Sequence, residues 1–117
     1  MGLRAVVRRG PAIQGVRLEV ADLVLDPSTG EVTRGGSPVT LTRTEYLLLE
    51  YLMRRANYVL SRDSIIERVW GNNADIEENT LEAFVKNLRA KIDNDREPKL
   101  IQTVRGVGYR LKAGDGN

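Results

Sequence analysis

The 117 residues contain no histidine and no cysteine, so the side chains equipped for chemistry are those that hold or meet charge. Their absence removes the commonest general base, the commonest metal ligands, thiol nucleophiles and disulfides, and it suits a reducing compartment. An enzyme would have only carboxylate, Lys, Tyr or Ser/Thr groups to use. Glu77 and Glu82 are a conceivable acid–base pair, but no pocket-forming glycine loop or charge partner accompanies them in the sequence. Asp75, Glu77 and Glu78 lack a convincing ligand spacing for a divalent cation, and Asn72–Glu78 reads as a solvated polar loop. The sequence predicts no enzyme, no metal and no cofactor.

Cations offer more. The formal net charge is only +2, yet it is unevenly spread. From Asp63 to Glu82 the acids dominate, with Asp63, Glu67, Asp75, Glu77, Glu78 and Glu82 against Arg68. From Lys86 onward the balance reverses, with Lys86, Arg89, Lys91, Arg96, Lys99, Arg105, Arg110 and Lys112 against Asp93, Asp95, Glu97 and Asp115. One end of the chain is suited to an anionic partner. Projected at about 100° per residue, Asn79, Ala83, Lys86, Asn87 and Ala90 share one face of a helix, flanked by Glu82 and Arg89 on one side and by Phe84 and Lys91 on the other. That face is small, amide-bearing and cationic. Lys and Arg can meet phosphates or purine edges, Asn can pair bidentately with adenine, and Ala can approach a thymine methyl. A basic helix face by itself is more often solvated surface. The basic segment Ile101–Leu111, with Arg105 at its middle, turns the reading toward nucleic acid.

The elements that must position these groups follow from local signals. Residues 1–15 carry Arg4, Arg8 and Arg9, then Gly10-Pro11 and Gly15, and read as a helix end running into a linker. Short β-like runs at Arg17–Val20, Leu23–Asp26, Glu31–Arg34 and Pro38–Leu41 alternate with turn-forming residues, predicting an antiparallel meander. Thr42-Arg43-Thr44-Glu45 is a capping box. It opens a helix to about Arg55, apolar around much of its circumference. Ser61 caps a second helix, which Gly71 ends. Leu81, Val85, Leu88 and Ile92 are the core stripe of a third helix over residues 79–92. Ile101–Arg105 and Val107–Leu111 alternate around Gly106 as a hairpin. Trp70, Phe84 and Tyr109 read as packing groups rather than base-stacking platforms. The expected domain is 16–112, with 113–117 a disordered tail. No apolar stretch approaches the roughly 18 residues of a membrane-spanning helix, and a cytoplasmic location is expected.

Helix, helix, acidic loop, basic-faced helix and basic hairpin, in that order, describe a helix-turn-helix with a wing. The segments Leu41–Leu49, Leu60–Arg62, Val69–Gly71, Thr80–Lys91 and Ile101–Leu111 also carry a family resemblance. Over residues 16–112 the sequence resembles the effector domain of the OmpR/PhoB family of two-component response regulators. That resemblance implies an α+β winged helix-turn-helix: an N-terminal four-stranded antiparallel sheet, three helices and a C-terminal β-hairpin wing. It implies sequence-specific binding of double-stranded DNA and regulation of transcription within a phosphorelay. The family's DNA-contacting positions fall on Asn79, Ala83, Lys86, Asn87 and Arg89 of the third helix, which enters the major groove. On the wing, which meets the minor groove, they fall on Thr103 and Arg105. Asn72, Asn73, Asp75 and Glu77 fall in a loop that contacts RNA polymerase in the family's manner.

The resemblance further implies that Leu3–Arg9 is the last turn of a preceding receiver domain, the target of a cognate histidine kinase. Receiver dimerisation would then place two effector domains on direct repeats about one helical turn apart, roughly 10–10.5 bp. Three positions depart from the family's pattern. Asn79 and Asn87 occupy positions where many members carry arginine, and Phe84 one where histidine is common. Fewer cations imply weaker phosphate attraction per protomer. A protein-interaction module on the same fold is the alternative, in which the basic face is idle.

Overall fold

The computed structural model describes residues 16–71, 76–77, 79–94 and 98–113. The readings made for residues 1–15, for 114–117 and for Asn72, Asn73 and Asp75 lie outside them.

The first described elements form a four-stranded antiparallel sheet in sequential order: β1 (Leu18–Val20), β2 (Leu23–Asp26), β3 (Glu31–Arg34) and β4 (Ser37–Pro38). Its turns explain its tightness. Between β2 and β3, the Asp26 carboxylate accepts from the Ser28 amide at 3.0 Å and the Ser28 hydroxyl at 2.6 Å, and the Gly30 amide donates to the Asp26 carbonyl at 2.7 Å. Between β3 and β4, Gly35 and Gly36 both have positive φ, 60° and 84°, as a two-residue hairpin turn demands. The period-two alternation buries Leu23 and Leu25 on β2 and Val32 and Arg34 on β3. β4 is shorter than the Pro38–Leu41 run predicted. The Val39 amide still bonds the Val32 carbonyl at 2.8 Å, but the chain then leaves the sheet for the cap of the first helix.

Helix α1 (Arg43–Arg54) starts at the predicted capping box: the Glu45 amide donates to Thr42 Oγ1 at 3.2 Å and the Thr42 amide to Glu45 Oε1 at 2.9 Å. It buries Leu48, Leu49, Leu52 and Met53, with Tyr46 and Tyr51 partly covered, so it packs on more than one side. Each such Leu contributes about 1.5–3 kcal/mol of burial. A two-residue strand, β5 (Leu60–Ser61), leads into α2 (Arg62–Trp70), which Ser61 caps through the Ser64 amide at 3.1 Å and Gly71 ends at φ 105°. Helix α3 (Thr80–Ile92) buries the predicted stripe of Leu81, Val85, Leu88 and Ile92. Trp70 and Phe84 pack edge to face against this core, ring centroids 5.4 Å apart.

The chain closes with the hairpin β6 (Ile101–Val104) and β7 (Gly108–Leu111) around Arg105, Gly106 and Val107. The sequence did not announce that the hairpin is part of a three-stranded sheet, order β5-β7-β6, with Leu60 opposite Tyr109 and Ser61 opposite Gly108. The strands approach so closely there that a Cβ at Gly108 would lie 1.9 Å from the Leu60 carbonyl oxygen. The Arg62 amide bonds the Val107 carbonyl at 3.2 Å, tying the hairpin's turn to the start of α2.

Candidate nucleic-acid interface

The core stripe of α3 dictates what its other side presents. With Leu81, Val85, Leu88 and Ile92 turned inward, Asn79, Ala83, Lys86, Asn87 and Ala90 are all exposed. Asn79 stands at the N-cap position, but its side chain makes no capping hydrogen bond. Its amide is therefore not committed to the helix end, as an N-cap Asn usually is.

Arg89 differs from its neighbours. It is half-buried, and its Nη2 donates to Thr103 Oγ1 on β6 at 2.6 Å while its Nε donates to the Ile101 carbonyl at 3.3 Å. Its guanidinium also lies 6.0 Å from the centroid of the Tyr109 ring. Two positions the resemblance marked separately, Arg89 and Thr103, are thus joined and bridge helix to hairpin. Arg105 is exposed at the hairpin's tip, where Gly106 at φ 79° makes the turn. Beside this junction lies a depression of about 390 Å³ bordered by Lys86, Arg89, Asn94 and Lys99. In the sequence Lys99 belongs to the basic half, and no local signal assigns it to a surface.

The flanks of α3 are fastened by ion pairs. Lys91 Nζ donates to Glu45 Oε1 at 2.6 Å, joining α3 to the start of α1. Burial works against the charge of Glu45, yet hydrogen bonds from Lys91 and the Thr42 backbone hold its carboxyl below the usual glutamate range. On the other flank, Arg62 forms a two-pronged bond with Glu82, Nε to Oε2 at 2.7 Å and Nη2 to Oε1 at 3.1 Å. That bond lowers the Glu82 pKa against a smaller opposing effect of burial. The expectation that Glu82 has no charge partner is therefore corrected. Arg62 follows the Ser61 cap directly, and only tertiary packing brings it to α3. A carboxylate held ionised in this way is poorly suited to act as a general acid. The same pair compensates an acid on the otherwise cationic face. Glu77 is exposed beside it, at a depression of about 610 Å³ shared with Asn79.

The arrangement can present neutral amides, a small side chain and cations along one helix, with a second cation on a hairpin fixed to the same core. It thereby offers both hydrogen-bond readout and charge to a polyanion.

Residues 36–111 match the family described as transcriptional regulatory protein, C terminal. The chain is 50% identical over 115 residues to the transcriptional regulatory protein CusR of Escherichia coli (strain K12), covering 97% of this chain and 51% of the relative. It is 47% identical over 113 residues to the response regulator MprA of Mycobacterium avium (strain 104), covering 94% and 50% respectively. The chain thus spans about half the length of the curated relatives it matches. Among solved structures, it superposes on the DNA binding domain of CpxR from E. coli with a TM-score of 0.73 at 31% identity, covering 86% of this chain and 99% of that one. The Klebsiella pneumoniae RstA DNA-binding domain, solved in complex with the RstA box, gives a TM-score of 0.73 at 28% identity, covering 83% and 97%.

Proposed function

The chain belongs to the family of C-terminal domains of transcriptional regulatory proteins, and on that premise we propose that it binds duplex DNA sequence-specifically as the effector domain of an OmpR/PhoB-type response regulator. The observation that carries this reading is the pairing of two exposed features on one core: the α3 face with Asn79, Ala83, Lys86 and Asn87, and Arg105 at the tip of the adjoining hairpin. A helix of this width fits the major groove, and its amides suit adenine edges. A cation reaching sideways from a hairpin suits the minor groove, whose negative potential is strongest where it is narrow. Arg89 and Thr103 support the junction from which both reach out. The chain itself performs no bond-making step.

The finer parts of the reading rest on the family. A receiver domain, phosphorylated by a cognate histidine kinase, controls pairing of two effector domains on direct repeats. The acidic loop, with Asn72, Asn73, Asp75 and Glu77, contacts RNA polymerase, and the regulator works in the cytoplasm. Of these loop residues, Glu77 is exposed, and its charge is wrong for lying against phosphate.

The test is a fluorescence-anisotropy titration of the chain against random and selected duplexes at several salt concentrations. Affinity should fall with salt at a log–log slope of about −0.9 per phosphate contact. Salt-independent affinity, or equal affinity for every sequence, would refute the reading.

A further inference from the structure

Arg34 is an arginine on the core face of β3 with its side chain 0% exposed. Its three guanidine nitrogens reach three separate pieces of chain. Nε donates to Asp22 Oδ1 in the β1–β2 turn at 2.5 Å. Nη1 donates to the Ile92 carbonyl at 2.6 Å and to Asp93 Oδ1 at 3.0 Å, both at the end of α3. Nη2 donates to the Pro98 carbonyl at 2.7 Å. Asp93, whose side chain is 5% exposed, extends the chain of contacts: its Oδ1 accepts from the Leu100 amide and its Oδ2 from the Ile101 amide, both at 3.1 Å. Ile101 is the first residue of β6.

The end of α3 and the start of the hairpin are therefore set by one buried ion pair whose cation is anchored in the N-terminal sheet. A planar guanidinium satisfies such divergent acceptors in one geometry only. Moving α3 relative to the hairpin strands a buried carbonyl or carboxylate, which is costly. We infer that Arg34, acting through Asp93, is a positioning element that fixes the separation between α3 and the hairpin, so that the helix and Arg105 engage one duplex at the same time. The inference rests on the DNA-binding reading for its consequence, but its geometric core does not.

The experiment uses the 117-residue chain and the variant Arg34→Met, which removes the buried cation while the Leu100 and Ile101 amides still donate to Asp93. Two readouts are taken. Amide hydrogen exchange should accelerate about tenfold or more in residues 99–104 and 107–111 while α1 stays within about threefold of the parent, because local opening there no longer breaks the buried network. Binding to a selected site should weaken with either flank, about fivefold or more with an A·T flank and at least about twofold less with a G·C flank, since the hairpin no longer holds its place beside the helix. Arg34→Lys, keeping the charge but not the fork, should rescue neither readout.

If exchange rises equally in α1 and the hairpin, or does not rise, Arg34 is a general core residue and the inference fails. Equal weakening on both flanks has the same meaning. Should both Arg34 variants prove unfolded, Asp22→Asn at the exposed end of the network should still accelerate hairpin exchange about threefold with α1 unchanged, and failure to do so overturns the inference. If the parent binds no duplex, the DNA-binding reading fails, while the exchange data still decide the positioning role.

Discussion

Arg89 on α3 and Thr103 on β6 are hydrogen-bonded to each other at 2.6 Å, so the helix face and the hairpin that we propose as the DNA-binding surfaces are fastened to each other. The two ends of this bond should separate experimentally. Thr103→Val removes the acceptor and should cost about 0.5–1.5 kcal/mol of stability while leaving the salt slope of DNA binding unchanged. Arg89→Ala also removes a cation and should flatten that slope by about one contact. Denaturant midpoints and salt titrations of both variants provide the check, and equal slopes for the two would show that Arg89 serves only to brace the hairpin.

Asn87 and Arg105 differ in what they can contribute. Asn87→Ala should relax preference at one base position by about 1–3 kcal/mol with the salt slope nearly unchanged, because a neutral amide reads an edge rather than neutralising a phosphate. Arg105→Ala should weaken every site, reduce the slope by about one contact and hurt A·T-flanked sites most. Lysine should restore it only in part, being more strongly hydrated. Salt titrations on flanked and flank-replaced duplexes distinguish the two patterns.

Gly108→Ala should be among the most damaging small substitutions. The added methyl would sit 1.9 Å from the Leu60 carbonyl oxygen, which belongs to backbone and cannot swing aside. Overpacking of this kind costs about 1–3 kcal/mol or more, measurable as a fall in the thermal midpoint. Gly106→Ala tests the contrast: a Cβ there meets nothing within 4 Å, so its cost is confined to φ 79° and should be about 1–2 kcal/mol.

Acid should loosen the flanks of α3. The Glu45 and Glu82 carboxyls are held below the usual glutamate range by Lys91 and Arg62 respectively. Depressed carboxylates stabilise the fold fully above their unfolded-state range, about pH 4 to 5, and that stability is lost as the pH falls through the lower folded-state values. Urea unfolding between about pH 3 and 6 should therefore show a steeper decline for the parent than for Glu45→Gln. Identical slopes would mean that the Lys91 bond adds nothing in solution.

Much of this was legible in the chain because it is local. Thr42 and Glu45 announce a helix start three residues apart, and Leu81, Val85, Leu88 and Ile92 fix which side of α3 is exposed, so Asn79, Ala83, Lys86 and Asn87 follow by rotation. What escaped depends on distant partners. Leu60–Ser61 is too short to signal a strand and becomes one only against Gly108 and Tyr109. Alternation along β3 places Arg34 on the same face as Val32, but an arginine is rarely buried without partners, and Asp93 is remote in sequence. Arg89 and Thr103 were marked one at a time, while the angle that joins them is a product of packing.

The pairing of Leu60 with Tyr109 has a consequence for how the chain reaches its final form. β6 and β7 can zip together around Arg105–Val107 on their own, because their pairing is local. Docking that hairpin onto β5, by contrast, closes a loop of almost half the chain, and the entropy of that closure is offset only once α1, α2 and α3 enclose the core. The hairpin should thus form early and seat late, an order that folding rates of variants in each part would report. Substitutions at Gly108 should slow the last step of folding, whereas substitutions at Gly106 should act on one of the first.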